Sequence, residues 1–260
     1  MLTRYALVSS SILLLSACEP AVPSDSAMSC FNPDLYQDGN QYLTAIFSEG
    51  KPTSFALTRL IKDDAQLQPT GKRSITTQVS PDAPLLSSSQ RITIDAANYR
   101  YLQQSDEYQF RAYSVKQDYS AAPQPTDFNF DTPNQSRNYN ISFTSERIRG
   151  DDVTTTAQQH QEIITFVGIE PLTTPAGKFT TCRMHTQGVN ADGSKASSMN
   201  TWYAQQLGIP LQSEITSSRG DTLKTVVIQA TINGKTYTAT PTGIDKQLLA
   251  EALAFAKSQG

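Results

Sequence analysis

His160 and Glu162 lie two residues apart in the segment Gln158–Glu162, and both side chains could transfer protons or bind a metal ion. Side chains alternate across a β-strand, so an extended segment would place both on one face. A zinc site needs at least a third protein ligand, and none is evident in the neighbouring sequence. The sequence therefore favours the simpler alternative, which is two polar side chains on a solvated face.

The rest of the chain carries no recognised catalytic or cofactor-binding motif. It contains no Gly-x-Ser-x-Gly, no phosphate-binding loop, no Gly-x-Gly-x-x-Gly and no His-Glu-x-x-His. The second histidine, His185, alternates with Arg183 along a predicted strand, which is typical of a surface or rim side chain. We therefore expect a protein that is not an enzyme and holds no cofactor or metal. The alternative left open is a hydrolase whose residues come from distant strands.

The N-terminus carries a motif that could be modified covalently. The apolar run Tyr5–Leu15 is shorter than the roughly 20 residues that span a bilayer, as in a secretory signal. It ends in Leu15-Ser16-Ala17-Cys18, which resembles the lipobox of bacterial lipoproteins. The resemblance implies removal of residues 1–17 and attachment of acyl chains such as palmitate to Cys18. The alternative is an ordinary secretory signal, with Cys18 incidental.

The same resemblance implies a location in the bacterial cell envelope. Lipoproteins kept in the inner membrane often carry Asp after the modified cysteine, and this chain carries Glu19. We therefore expect a lipid anchor in the outer membrane, with the protein facing the periplasm. More than one acyl chain is needed for stable anchoring, because a single chain binds a bilayer only marginally.

The two other cysteines form an even pair in an oxidising compartment, which favours a disulfide between Cys30 and Cys182. Closing a loop of about 150 residues stabilises a fold by roughly 4–5 kcal/mol in the chain-entropy model. The alternative is two buried thiols. Neither cysteine lies in a Cys-x-x-Cys pair, so a redox role is not indicated.

Composition divides the chain into three parts. Residues 1–17 form the signal, residues 18–29 form a tether with two prolines and small polar residues, and residues 30–260 form a single β-rich periplasmic domain. The net charge is −3 for the full chain. A mildly acidic chain lacks the basic footprint of nucleic-acid binding. The expected partners are instead the membrane, an apolar ligand or another envelope protein.

Between Gln41 and Ala239, alternating polar and apolar residues predict the β-strands that position the candidate residues. Many short strands separated by turns such as Asn233-Gly234 favour an antiparallel meander, closed into a barrel or left as a curved half-barrel. Residues 118–137 carry three prolines and read as a long loop, either packed on the barrel or acting as a lid or partner contact.

The C-terminus is the one predicted helix. Ile244, Leu248, Ala252 and Phe255 recur at helical spacing, which predicts an amphipathic helix over residues 243–257. We expect this helix to pack against the concave face of the sheet.

Two stretches resemble a pattern found in uncharacterised bacterial envelope proteins, for which no activity is assigned. The stretches are Thr174-Pro175-Ala176-Gly177-Lys178-Phe179 and Trp202-Tyr203-Ala204 followed by Gly208. The similarity covers about residues 167–232, and its local meaning is a tight turn followed by strands, with Trp202 and Tyr203 on opposite faces. The inferred architecture is also similar to the half-barrel carriers of lipoprotein acyl chains, although fold alone does not establish function.

Overall fold

The computed structural model describes residues 23–62, 70–80, 83–238 and 245–259. Cys18 and residues 1–17 lie outside these ranges, so the predictions made for them stay predictions. The described chain is mostly β-structure. Its strands are β1 Gln41–Ser48, β2 Lys51–Lys62, β3 Thr70–Val79, β4 Leu85–Asp95, β5 Arg100–Phe110, β6 Ser114–Ala122, β7 Gln124–Asp127, β8 Gln135–Arg149, β9 Asp152–Thr174, β10 Gly177–Val189, β11 Lys195–Ala204, β12 Pro210–Thr216, β13 Thr222–Ile232 and β14 Lys235–Tyr237.

Twelve of the strands close into an antiparallel barrel. Each of β1–β6 and β8–β13 pairs with its neighbour in that order, and β13 then pairs with β1, for example through Val226 and Ala45. The two short strands lie off this path, with β7 on β5 and β14 on β13. The predicted antiparallel meander is confirmed. Because β13 pairs with β1, the sheet is a closed barrel and not a half-barrel.

The N-terminal segment fills one half of the barrel lumen. Two short 3₁₀ turns, Ala27–Cys30 and Pro33–Leu35, lie inside the main apolar cluster. That cluster draws residues from strands all around the barrel, so it is the lumen side of the wall. Cys30 and Cys182 are joined by a disulfide with a Cα–Cα distance of 6.1 Å, which ties the segment to β10. We name residues Ser26–Tyr36 the plug.

The proline-rich stretch over residues 118–137 is largely not a loop, contrary to prediction. Strand β6 continues to Ala122 and β7 covers Gln124–Asp127. Phe128 and Phe130 follow, and both are buried in the lumen cluster beside the plug. Prolines are tolerated here because β7 is short and pairs with β5 alone. The alternative in which these aromatics pack on the barrel is therefore the correct one.

The C-terminal helix α1, Lys246–Ser258, forms as predicted but on the other side of the wall. Ala252 and Phe255 pack in a separate cluster with Leu43, Leu57 and Ile228. These wall residues alternate along their strands with lumen residues, so the helix lies on the outside of the barrel. The expected packing against the concave face is wrong, because the plug already occupies that space. No helix in the described ranges is long and apolar enough to cross a membrane.

Candidate functional site

The half of the lumen that the plug leaves empty forms a cavity of about 550 Å³. We name it the lumen cavity. Small-molecule sites typically measure about 300–1,000 Å³, so its size suits a small ligand. Its wall is assembled from seven strands and the turns beside them, and consists of Gln103, Gln124, Pro125, Thr126, Asp127, Phe143, Gln158, Gln159, His160, Glu162, Ile164, Met184, Thr186, Gly188, Asn190, Ala196, Ser197, Met199, Thr201, Tyr203 and Ile215.

His160 and Glu162 face this cavity together. His160 Nε2 lies 3.1 Å from Glu162 Oε1, and Gln124 Nε2 donates to the same oxygen at 2.8 Å. Glu162 is only 8% exposed. The expected shared face is correct, but the expectation of a solvated face is wrong. Alternation along the strand predicts that His160 and Glu162 share a face, but it does not show which face points inward. In the closed barrel their shared face points into the lumen.

A second carboxylate, Asp127, lies at the cavity wall and is completely buried. It accepts hydrogen bonds from the Tyr139 hydroxyl and, at 2.8 Å, from the backbone N–H of Asn129. Arg137 Nη1 is 3.6 Å from Asp127 Oδ2 and approaches from a half-exposed position. Burial and the neighbouring Asp127 carboxylate raise the pKa of Tyr139, so this hydroxyl stays protonated as a donor.

A third carboxylate, Asp106, lies behind Gln103 and is also buried. Its oxygens accept hydrogen bonds from the Gln103 amide, from the Tyr108 hydroxyl at 3.1 Å and from the Tyr119 hydroxyl at 3.4 Å. Burial raises the pKa of Asp106, although these hydrogen bonds oppose the shift. Sequence reasoning missed Asp106 and Asp127, because single acids in polar strands give no local signal of burial.

The charged side chains that line the cavity are acidic, and Arg137 partly balances the charge of one of them, Asp127, from outside the wall. Two carboxylates line the cavity, and no Lys or Arg side chain is among its described lining residues. Apolar groups complete the wall, chiefly Phe143, Met184 and Met199. A carboxylate in such a low-dielectric site attracts cations and hydrogen-bond donors and repels anions. The arrangement can therefore hold a small molecule that combines an apolar body with a neutral or cationic polar group.

The arrangement of groups around His160 limits the chemistry it could perform. In the described ranges, no hydroxyl or thiol is hydrogen-bonded to His160, and no group of three or more metal-binding side chains is found. A nucleophile activated by a histidine lies within hydrogen-bond reach of it. His185 lies elsewhere, with Nδ1 3.2 Å from Asn200 Oδ1 on the outer wall. The two histidines are thus not brought together.

Of the envelope-protein pattern, the turn after Ala204 contacts the plug, whereas Trp202 and Tyr203 lie on opposite faces of the wall. Tyr203 lies in the lumen and packs edge-on against Phe128 with ring centroids 4.8 Å apart. Trp202 faces the opposite side, where it donates to Glu170 and lies under the Arg183 guanidinium. The turn after them contacts the plug directly, because the Gln206 N–H donates to the Ser29 carbonyl at 2.9 Å.

Comparison with protein-family models and with curated proteins finds no match. Two solved structures are similar in part. A candidate exported protein with a YmcC-like fold from Bacteroides fragilis is 15% identical, and the alignment covers 74% of this chain and 94% of that one with a TM-score of 0.45. A candidate lipoprotein from Parabacteroides distasonis is 12% identical with the same coverage and TM-score. At these values neither likeness identifies a function.

Proposed function

We propose that this protein is a lipid-anchored component of the bacterial outer membrane whose barrel binds a small neutral or cationic amphiphile without catalysing a reaction. The lumen cavity supports this proposal, because it is large enough for a ligand and is bordered by buried carboxylates with no lysine or arginine on its described wall. The sequence predicted an apolar ligand, and the carboxylates of the wall favour an apolar ligand that also carries a hydrogen-bond donor. Service as an accessory part of an envelope complex stays compatible with ligand binding.

The anchor rests on the Leu15–Cys18 motif, which lies outside the described residues. The plug begins at Ser26, so only a short tether would separate the barrel from a lipid-modified Cys18. Mass spectrometry of the protein purified from membranes should give a chain that begins at Cys18 and carries acyl chains. An unmodified cysteine, or a chain that retains residues 1–17, contradicts the anchor.

The charge preference of the cavity is tested with three probes that share one ring: benzylammonium, benzyl alcohol and benzoate. Isothermal titration calorimetry should show benzylammonium binding at least about tenfold more tightly than benzoate, or about 1.4 kcal/mol. Glu162→Gln should narrow this difference, because it removes a carboxylate from the wall. Glu214→Gln serves as the matched control, since Glu214 lies on the outer wall beside Lys224.

Blocking the cavity separates lumen binding from surface binding. Thr186 lines the cavity, so Thr186→Trp should abolish binding of all three probes while the melting temperature shows that the variant is folded. Binding of benzoate as tightly as benzylammonium, or equal binding by the blocked variant, contradicts the proposal.

Hydrolysis is the second candidate, favoured by the His160–Glu162 pair and by Ser197 in the same cavity wall. We favour binding because His160 hydrogen-bonds to Glu162 and to no described hydroxyl or thiol. An esterase or amidase activity that is lost in both His160→Ala and Ser197→Ala would replace the binding proposal with the hydrolase.

A further inference from the structure

Strand β9 extends well beyond the end of its neighbour β10. Its pairing with β10 ends where Gln161 meets Val189, whereas its pairing with β8 continues to Asp152 and Arg149. Residues 152–160 therefore pair on one side only within the described structure. Their backbone N–H and C=O groups on the other side form an open edge, which is a template for a further strand. We name residues 152–160 the free edge.

The free edge lacks the features that usually keep strand edges apart. Lysine, proline and bulges are the common devices, and residues 153–160 contain no lysine, arginine, aspartate, glutamate or proline. Residues 153–156 are all β-branched, which favours strand pairing. Residues 152–159 are exposed, and Val153 is the most exposed large apolar side chain of the described residues at 59%. A paired strand would cover this side chain.

We propose that the free edge pairs with the free edge of a second copy of this chain, in antiparallel orientation about a two-fold axis. Such an interface is isologous, so each copy supplies the strand that the other lacks. A register centred on Thr156 sets Asp152 of each copy opposite His160 of the other, which juxtaposes an acid and a base. A register centred on Ala157 would set Asp152 opposite Glu162, which already pairs with Gly188 of β10, so only the first register uses the whole free edge.

A second copy suits this edge better than an unrelated peptide, because the free edge carries both Asp152 and its expected partner His160 at opposite ends. The chain has a net charge of −3, but residues 153–159 carry no charge, so the like charges of two copies are not opposed along the strands. About nine residues per copy bury less area than a permanent interface, so we expect a transient dimer.

Gln158, Gln159 and His160 belong both to the free edge and to the rim of the lumen cavity, so pairing covers one side of the cavity mouth.

Cross-linking of the full chain tests this register. In Thr156→Cys, the two new thiols lie opposite each other at the two-fold axis, within the distance that a disulfide spans. Mild oxidation should yield much more covalent dimer than in Thr144→Cys, because only Thr156→Cys brings two thiols of the dimer within disulfide geometry. Thr144 is an exposed threonine on β8, where both strand edges are already paired. Equal dimer yields from the two variants overturn the proposal.

Sedimentation of the wild-type full chain tests association without a cross-link. A reversible increase from the mass of one chain toward twice that mass should occur as the protein concentration rises. Thr156→Lys places like charges opposite each other and should remove the increase, whereas Thr144→Lys should retain it. A wild-type chain that remains monomeric at all concentrations overturns the proposal. Capture of an extended peptide by the free edge of a strictly monomeric chain also overturns it.

Discussion

At the scale of single residues, the contact between Gly208 and the plug explains why glycine stands at the end of the Trp202–Gly208 pattern. Gly208 has φ +72°, and a Cβ atom built there would lie 2.9 Å from the Cβ of Asn32. Asn32 also donates from Nδ2 to the Leu207 carbonyl at 3.1 Å. The turn and the plug thus approach each other too closely for any other side chain.

Gly208→Ala should lower the free energy of unfolding by about 2 kcal/mol, because it combines backbone strain with a steric clash. Gly220→Ala is the matched control and should cost only the strain, since Gly220 has φ +93° and a methyl group there would meet nothing within 4 Å. Chemical denaturation measures both variants. Equal losses would show that the plug does not press against this turn.

Residue-level prediction from the sequence succeeded where composition or strand periodicity was sufficient. The disulfide between Cys30 and Cys182 was predicted from the number of cysteines and the expected oxidising compartment, and the structure contains it. The shared face of His160 and Glu162 followed from strand periodicity. The burial of Asp106 and Asp127 could not be predicted, because it depends on which distant strands close over them.

At the scale of elements, helix α1 shows how far periodicity reaches. The apolar stripe predicted the helix to within three residues at its start and one at its end, and Asp245 caps it by accepting from the Leu248 N–H at 3.2 Å. The apolar stripe predicts that one face of the helix is buried, but it does not show which surface of the barrel buries it. Strand β1 carries apolar side chains on both faces, Tyr42 toward the lumen and Leu43 toward the helix, and this was the available signal for a covered outer wall.

Phe255→Ala should destabilise the fold by about 3 kcal/mol, because the ring is buried against the outer wall. Leu253→Ala on the same helix should cost less than about 0.5 kcal/mol, since Leu253 is 39% exposed. Thermal or chemical unfolding of the two variants tests the placement of the helix. Similar losses for both variants would contradict packing through the Phe255 face.

At the scale of the whole molecule, the barrel is divided between a filled half and an open half. The plug, Phe128 and Phe130 supply the apolar core of one half, and the disulfide fixes the plug there. Polar and apolar side chains share the other half around the lumen cavity. Antiparallel pairing was predictable from turns and alternation, whereas closure and filling were not, because they depend on contacts such as Ala45 with Val226 that join opposite ends of the chain.

The most direct test of a ligand in the lumen uses the methionine methyl groups as reporters. Met184 and Met199 line the cavity, whereas Met28 lies in the plug turn outside its wall. On titration of methyl-labelled full chain with benzylammonium, we expect saturable shifts of the Met184 and Met199 signals and none of Met28. Unchanged Met184 and Met199 signals, or equal shifts of all three, would contradict a ligand site in the barrel lumen.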